Sequence, residues 1–160
     1  MSPAGSEPPD EPLELGILLG HAYSVFVDEL HEHLHTHGHP ELHRWLGYVI
    51  KALEAEPLNV RELAEHLRMT PAGAVKVIDE IAAAGYIERV GDPADGRVRR
   101  LQLTDQGRAM RAEARRFHNR FEKQLADQLG PRRVATMRAV LTELVHRHRG
   151  DPVAASLRPM

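Results

Sequence analysis

Apolar residues recur every three or four positions over most of the chain, a spacing that predicts a mainly helical protein. A first helix is expected over about 13–36 and a second over about 41–57, where glycine and proline residues end them. A long helix over about 104–129 and a last helix after 130 follow later in the chain. The segment between the second helix and the long helix has a different pattern.

Two short helices are predicted at the start of this middle segment. Asn59 and Glu62 have the spacing of a capping box, which begins one helix. Thr70 and Pro71 have the spacing of an N-cap and a first helical residue, and Gly85 ends that second helix. Two helices separated by three or four residues are typical of a helix-turn-helix. The residues of the second helix expected to face inward are Ala74, Val75, Ile78, Ile81 and Ala82.

After the second short helix the apolar period changes to two, which predicts a β-hairpin with strands over 86–90 and 97–103 and a turn over 91–96. A helix-turn-helix followed at once by a hairpin is a winged-helix arrangement. In such proteins the second helix enters the major groove of DNA and the hairpin, or wing, reaches the adjacent minor groove. The pattern therefore predicts a DNA-reading unit.

Arginines at the predicted wing support this function. Arg97, Arg99 and Arg100 cluster there, and arginine is the side chain that a narrow, negative minor groove attracts. Because a carboxylate is repelled by phosphates, Asp95 is interpreted as a turn residue that orients Arg97.

The run from Leu63 to Arg108 resembles the MarR family of winged-helix transcriptional regulators, especially in ELAEHL, AAAGYIERV and DPADGRVRRLQLTDQGR. The wing shares the family pattern of an Asp and an Arg bracketing one residue, here Asp95 and Arg97. A Leu-Thr-x-x-Gly helix start follows at 103–107. The resemblance covers about 13–148 and implies a homodimer whose first and last helices interlock. It also implies palindromic DNA and repression relieved by a small molecule bound between the dimerisation and DNA-binding parts.

The expected fold class is therefore mainly α: a winged helix-turn-helix with a two-stranded wing, flanked by N- and C-terminal dimerisation helices. The expected divisions are a tail at 1–12, N-terminal helices that form the dimer and effector cleft at 13–56, the DNA-binding region at 57–106, C-terminal dimerisation helices at 107–150, and a tail at 151–160. The residues expected to contact DNA are Thr70, Ala72, Gly73, Lys76, Arg97, Arg99 and Arg100. Where the family usually carries Ser, Thr and Arg, this recognition helix carries mostly small apolar residues, so base readout should be modest and A·T-leaning.

The net charge of −2 conceals an asymmetry. Residues 1–56 hold two basic against ten acidic residues, residues 57–106 hold seven against eight, and residues 107–150 hold eleven against four. The basic face of the long helix is expected to pair with the acidic first helix across a dimer; its arginines are Arg108, Arg111, Arg115 and Arg120. The absence of cysteine excludes thiolate chemistry, and the absence of a signal or spanning segment leads us to expect a cytoplasmic protein.

A histidine-rich segment, HEHLHTHGHPELH at 31–43, suggests an alternative. A zinc-responsive regulator is one hypothesis, with Zn²⁺ as the possible cofactor; its ligands would be His31, His35, His39, His43 and His118. The same segment formally matches the H-E-x-x-H pattern of zinc hydrolases through His31, Glu32 and His35, but no strand precedes it to form a substrate-binding edge. We therefore expect a regulator rather than an enzyme. Trp45 and Tyr48 on the second helix are expected to line an effector cleft or to pack in the core.

Overall fold

The computed structural model describes residues 13–39 and 45–147. Within those ranges the chain forms six helices and one two-stranded antiparallel sheet, which confirms the mainly α winged-helix fold. In chain order they are α1 (Leu15–Thr36), α2 (Leu46–Leu53), α3 (Val60–Leu67), α4 (Pro71–Ala83), β1 (Ile87–Gly91), β2 (Arg99–Leu103), α5 (Asp105–Leu129) and α6 (Pro131–Arg147). The predicted tails, 1–12 and 151–160, lie outside the described residues.

The predicted caps set the helix-turn-helix. The Asn59 side chain accepts a hydrogen bond from the Glu62 N–H at 3.0 Å, and the Glu62 carboxylate accepts one from the Asn59 N–H at 2.8 Å. The Thr70 hydroxyl accepts a hydrogen bond from the Gly73 N–H at 3.1 Å. Between the two helices Arg68 adopts a left-handed conformation with φ of 53°, which ends α3 and turns the chain toward α4.

The buried face of α4 differs from the prediction at one position. Val77 is buried whereas Val75 is 40% exposed, so the inward placement of Val75 was wrong. With α4 starting at Pro71, the stripe at 74, 77, 78 and 81 has the three-and-four spacing of a single face. The apolar side chain of Val75 is left on the surface.

The wing consists of β1, the loop 92–98 and β2. Its register pairs Ile87 with Leu103 and Gly91 with Arg99. Arg97 therefore lies in the loop and not in the returning strand. Leu58, just before α3, adds a short antiparallel bridge on the other edge of β2: its N–H and C=O bond to Leu101 at 3.2 and 2.7 Å.

One hydrophobic core joins the expected divisions 13–56, 57–106 and 107–150. It contains Leu34 of α1, most of α2, the inner faces of α3 and α4, the inward residues of the wing, and Met110 and Ala114 of α5. The winged helix therefore packs directly on α1, α2 and the first half of α5. In the described part of the chain no helix is long and apolar enough to cross a membrane.

Candidate nucleic-acid interface

The outer face of α4 is nearly free of charge at its N-terminal end. Ala72, Val75 and Lys76 are exposed and Gly73 is half-buried. Thr70, at the start of the helix, uses its hydroxyl as the cap, so this group is already engaged. The side chains available to a DNA base edge there are two small apolar groups and one lysine.

Farther along α4, the carboxylate of Asp79 accepts a hydrogen bond from Arg89 of β1 at 2.6 Å. Both side chains are well exposed, so the energy of this ion pair is small. The contact nevertheless connects the outer face of α4 with the wing.

Two aspartates shape the loop of the wing. The Asp92 side chain accepts a hydrogen bond from the Ala94 N–H at 2.7 Å, and the Asp95 side chain accepts one from the Arg97 N–H at 3.0 Å. The Val98 N–H also donates to the Asp95 carbonyl at 2.9 Å. Asp95 thus holds the backbone at Arg97, which agrees with its expected orienting role.

The three wing arginines have different environments. Arg97 and Arg99 are exposed, and within the described residues their guanidinium groups make no hydrogen bond or ion pair. Arg100 instead points to the base of the wing, where its Nε donates to Asp92 and its Nη1 donates to the Pro57 carbonyl at 3.0 Å. Hydrogen bonding to Arg100 lowers the pKa of Asp92. Odd and even positions of β2 face opposite sides, and the side of Arg100 turns toward α3, where Glu62 lies 3.6 Å from its Nη1. A contact of Arg100 with DNA stays a prediction.

Thr104 anchors the wing to α5. Its hydroxyl donates to the Gly85 carbonyl at 2.6 Å and accepts a hydrogen bond from the Gly107 N–H at 3.1 Å. Its own N–H donates to the Tyr86 carbonyl at 3.1 Å. One threonine therefore caps α5 and holds both ends of the hairpin together.

A family model matches most of this unit. The family model of the MarR family matches residues 46–98, which run from the start of α2 into the wing loop. Over these residues the chain is similar to the MarR family. The match ends before the Leu-Thr-x-x-Gly start of α5, and no curated protein sequence matches the chain.

Solved structures show that the MarR-like fold extends beyond the matched region. FabT of Streptococcus pneumoniae, solved in complex with DNA, has 22% identity and a TM-score of 0.66, with 86% of this chain and 99% of FabT covered. YusO of Bacillus subtilis has 20% identity and a TM-score of 0.62, covering 82% of this chain and 92% of its own. A variant of MarR from E. coli has 20% identity and a TM-score of 0.63, covering 85% and 99%. The flanking helices are thus part of the same fold.

Among the described residues, the predicted metal ligands do not come together. His31 and His35 are exposed, because the buried face of α1 near its end is formed by His33 and Leu34. His39 instead hydrogen-bonds through Nδ1 to the Tyr86 hydroxyl at 3.2 Å, and burial lowers its pKa. His118 packs on the ring of Phe26, at 5.1 Å between centroids, while His43 lies outside the described residues.

A different set of groups with metal-binding capacity does converge, and it consists of His33, His37 and Glu113. His33 and Glu113 are both buried and connect α1 to α5. Sequence reasoning missed Glu113 because nothing in the local pattern indicates that this position of α5 faces the end of α1. The sequence does contain one indication of this set, because the i, i+4 spacing of His33 and His37 places both imidazoles on one face of a helix.

The two aromatic residues expected at an effector cleft pack on the core. Trp45 and Tyr48 stack edge to face at 5.9 Å, and the Tyr48 hydroxyl lies 3.0 Å from that of Tyr23. Burial raises the pKa of Tyr48. Neither residue lines the larger cavity described below.

A cavity of about 600 Å³ lies between the end of α2, β2 and the first half of α5. Four arginines of α5 line it: Arg108, Arg111, Arg115 and Arg116. Glu54 faces them and bonds to Arg111 at 3.1 Å and to Arg115 at 2.6 Å. Arg111 and Arg115 therefore pair within one chain with Glu54, the residue that follows α2. Pairing of the α5 arginines with α1 across a dimer stays a prediction.

Proposed function

We propose that the protein is a homodimeric transcriptional repressor that binds pseudo-palindromic duplex DNA through α4 and the wing and responds to a small molecule. The observation that carries the proposal is the wing loop. Arg97 in this loop and Arg99 at the start of β2 are exposed beside a capped recognition helix, and hydrogen bonds to Asp92 and Asp95 fix the loop backbone. The similarity of residues 46–98 to the MarR family supports this function. The DNA complexes of FabT and of a MepR variant from S. aureus support it as well.

Direct base readout by α4 is expected to be limited. Lys76 is the one long hydrogen-bond donor on the N-terminal half of its outer face, and Asp79 is tied to Arg89. Ala72 and Val75 offer apolar contacts, which suit thymine methyl groups. Discrimination then depends on these contacts and on the shape of the minor groove at Arg97, so the preferred sites are A·T-rich at the wing.

Affinity is expected to depend on a few arginines. The region 57–106 holds seven basic and eight acidic residues, so it does not present a broad basic surface. Fewer phosphate contacts release fewer counterions on binding. The salt dependence of binding should therefore be shallow for a winged-helix dimer.

The dimer is inferred from apolar side chains that one chain leaves in water. On the N-terminal half of α1, Leu15 is 72% exposed and Val25 is 55% exposed; on α6, Val140 is 59% exposed. Their apolar neighbours on the same helices are exposed as well: Ile17, Leu18, Leu19, Met137, Leu141, Leu144 and Val145. Contiguous exposed apolar surface of this kind marks a protein interface. A second copy that covers it sets two recognition helices about 34 Å apart, one turn of DNA.

Repression is the outcome expected of the proposed dimer on DNA. A dimer that occupies two successive major grooves, with a wing in each adjacent minor groove, excludes other proteins from the same stretch of DNA. Binding within a promoter would thus block RNA polymerase without any further contact.

The cavity between α2, β2 and α5 is the proposed effector site. Its arginines outnumber its acidic residues, Glu54 and Glu56, so it favours an anionic small molecule. Such a ligand would compete with Glu54 for Arg111 and Arg115. Organic carboxylates and phosphate esters are suitable probes, and the expected response is a change in DNA affinity that Arg115→Ala abolishes.

DNA binding is tested by fluorescence anisotropy with a duplex from the region upstream of the protein's own gene, against a scrambled duplex, at two salt concentrations. Arg97→Ala should weaken specific binding by about tenfold or more and reduce the salt slope by about one. Lys123→Ala, which removes one exposed charge from α5 outside the winged helix, is the matched control and should bind as the wild type does. Equal affinity for both duplexes, or equal affinity of wild type and Arg97→Ala, would overturn the proposal.

A further inference from the structure

The C-terminal end of α1 and the middle of α5 bring two imidazoles and one carboxylate together. The Nε2 of His33 lies 2.7 Å from Oε1 of Glu113, and the Nε2 of His37 lies 3.7 Å from the same oxygen. The ligand atoms of all three side chains fall within 4.8 Å of one another, and the two imidazole rings are 4.1 Å apart. Among the described residues this convergence is built from two helices, not from one flexible segment.

The hydrogen bonds around the set orient its nitrogens and oxygens. The Nδ1–H of His37 donates to the His33 carbonyl at 2.7 Å, which leaves the lone pair of a neutral imidazole on Nε2, the atom nearest Glu113. A backbone acceptor on the far nitrogen is the usual support of a metal-bound histidine. Arg116 donates to Oε2 of Glu113, so Oε1 is the oxygen that remains toward the imidazoles. Hydrogen bonding from Arg116 also lowers the pKa of Glu113, so this carboxylate is charged at neutral pH.

We propose that His33, His37 and Glu113 form a binding site for one divalent transition-metal ion of the Zn²⁺ type, which fastens α1 to α5. Imidazole nitrogen and carboxylate oxygen are ligands that Zn²⁺ accepts at about 2.0–2.2 Å, which places neighbouring ligand atoms roughly 3.3 Å apart in a tetrahedron. The separations of Glu113 Oε1 from the two imidazole nitrogens, 2.7 and 3.7 Å, lie on either side of that value, so small side-chain shifts suffice. A water molecule completes the coordination.

Metal binding requires one rearrangement, at His33. Arg120 donates to its Nδ1 at 2.8 Å, so the ring proton is on Nε2 and points to Glu113. When the metal binds Nε2, the proton on Nε2 is lost to solvent and Nδ1 gains a proton from solvent. The number of protons on the ring is therefore unchanged. Arg120 is exposed and free to turn outward as it releases Nδ1. Metal and Arg120 therefore exclude each other at this ring.

The neighbouring histidines provide a matched control. His31 and His35 have the same i, i+4 spacing at the end of α1 as His33 and His37, which is the C-cap residue of that helix. His31 and His35 are both exposed, and among the described residues no carboxylate completes a set with them. A site built by the fold depends on His37 and Glu113, whereas adventitious binding to a histidine-rich segment depends equally on every histidine. The proposal does not depend on DNA binding, and its test uses no DNA.

The experiment is a Zn²⁺ titration of the full chain, freed of any histidine tag, in competition with a chromogenic chelator, with Co²⁺ absorption as a second readout. The wild type and the double variant His31→Ala/His35→Ala should each bind one Zn²⁺ per chain with the same affinity. His37→Ala, whose side chain is 46% exposed and thus tolerant of change, should bind at least about tenfold more weakly, as should Glu113→Gln. Zn²⁺ should raise the melting temperature of the wild type and of the double variant, but not that of His37→Ala.

Two outcomes would overturn the proposal. If the His31/His35 variant loses as much affinity as His37→Ala, the metal binds the histidine-rich surface and not the built site. If no protein competes with the chelator, or if His37→Ala and Glu113→Gln bind Zn²⁺ as the wild type does, the three side chains serve only to pack α1 against α5.

Discussion

The carbonyl oxygen of Tyr86 lies 2.1 Å from the point where a β-carbon on Gly107 would be. This oxygen already accepts the Thr104 N–H, so neither the hairpin nor the first turn of α5 is free to move away. The glycine in the Leu-Thr-x-x-Gly pattern is therefore required by the close approach of two backbones.

Gly107→Ala should destabilise the protein by roughly 3 kcal/mol, the upper range for overpacking, because the new methyl group displaces the Tyr86 carbonyl. Urea unfolding followed by circular dichroism measures the change. Gly47→Ala is the matched control: a β-carbon there meets no atom within 4 Å, and its position inside α2 predicts a gain of about 0.5–1 kcal/mol. Equal stability of wild type and Gly107→Ala would contradict the close approach.

Arg100 and Arg99 of the wing are expected to have different roles: Arg100 holds the base of the wing, and Arg99 contacts DNA. Arg100→Ala removes the contacts with Asp92 and the Pro57 carbonyl, so it should lower the melting temperature and weaken DNA binding with the salt slope unchanged. Arg99→Ala removes an exposed side chain and should leave the melting temperature as in the wild type while it reduces the salt slope by up to about one. Thermal melts and salt-dependent anisotropy separate the two. A normal melting temperature for Arg100→Ala would refute the positioning role.

Glu54 predicts a pH dependence of stability. Hydrogen bonds from Lys51 and Arg111 lower the pKa of Glu54 to about 2, against roughly 4.3 in an unfolded chain. A carboxyl group whose pKa is lower in the folded than in the unfolded state stabilises the fold at any pH above its unfolded-state pKa. This contribution is lost as the pH falls from about 4.3 to 2. Since the side chain is partly exposed, solvent screening reduces the contribution to about 1 kcal/mol.

Glu54→Gln should therefore unfold at lower urea concentration than the wild type at pH 7, and the difference should shrink between pH 5 and pH 3. Glu65→Gln is the control, because Glu65 is exposed and its ion pair among the described residues is with Arg61 of its own helix. A Glu54→Gln difference that stays constant over this pH range would show that the ionised carboxylate contributes nothing.

The apolar surface of α6 predicts the oligomeric state. Val140→Asp places a charge at a 59% exposed position, so it should leave the folded chain intact yet convert a dimer to a monomer near 18.0 kDa. Gln124→Asp introduces the same charge at an exposed polar position of α5 and should remain dimeric. Light scattering after size-exclusion chromatography measures both masses. A wild type that runs as a monomer at micromolar concentration would contradict the dimer.

Local chemistry explains why much of the fold was predictable. The caps at Asn59, Thr70 and Thr104 each depend on residues three apart, so sequence alone locates the starts of α3, α4 and α5. The change of period after Gly85 located the hairpin within one or two residues of its observed strands.

The features that sequence reasoning missed depend on tertiary packing. His33 and Glu113 are 80 residues apart, and no pattern relates the end of α1 to the middle of α5. Glu54 meets Arg115 across 61 residues for the same reason. The hydrogen bond from Arg100 to the Pro57 carbonyl was missed as well, because sequence alone does not place the α2–α3 connection beside β2.

The bridge between Leu58 and Leu101 makes the α2–α3 connection a third strand of the wing over one residue pair. The segment from Glu54 to Leu58 thus borders the arginine-lined cavity at one end and is hydrogen-bonded into β2 at the other. Arg97 lies four residues before Leu101, in the loop that leads into β2. A ligand in the cavity that displaced this segment would rotate the hairpin about the Leu58–Leu101 bridge. The wing loop lies beyond this bridge, so it would move farther than the displaced segment.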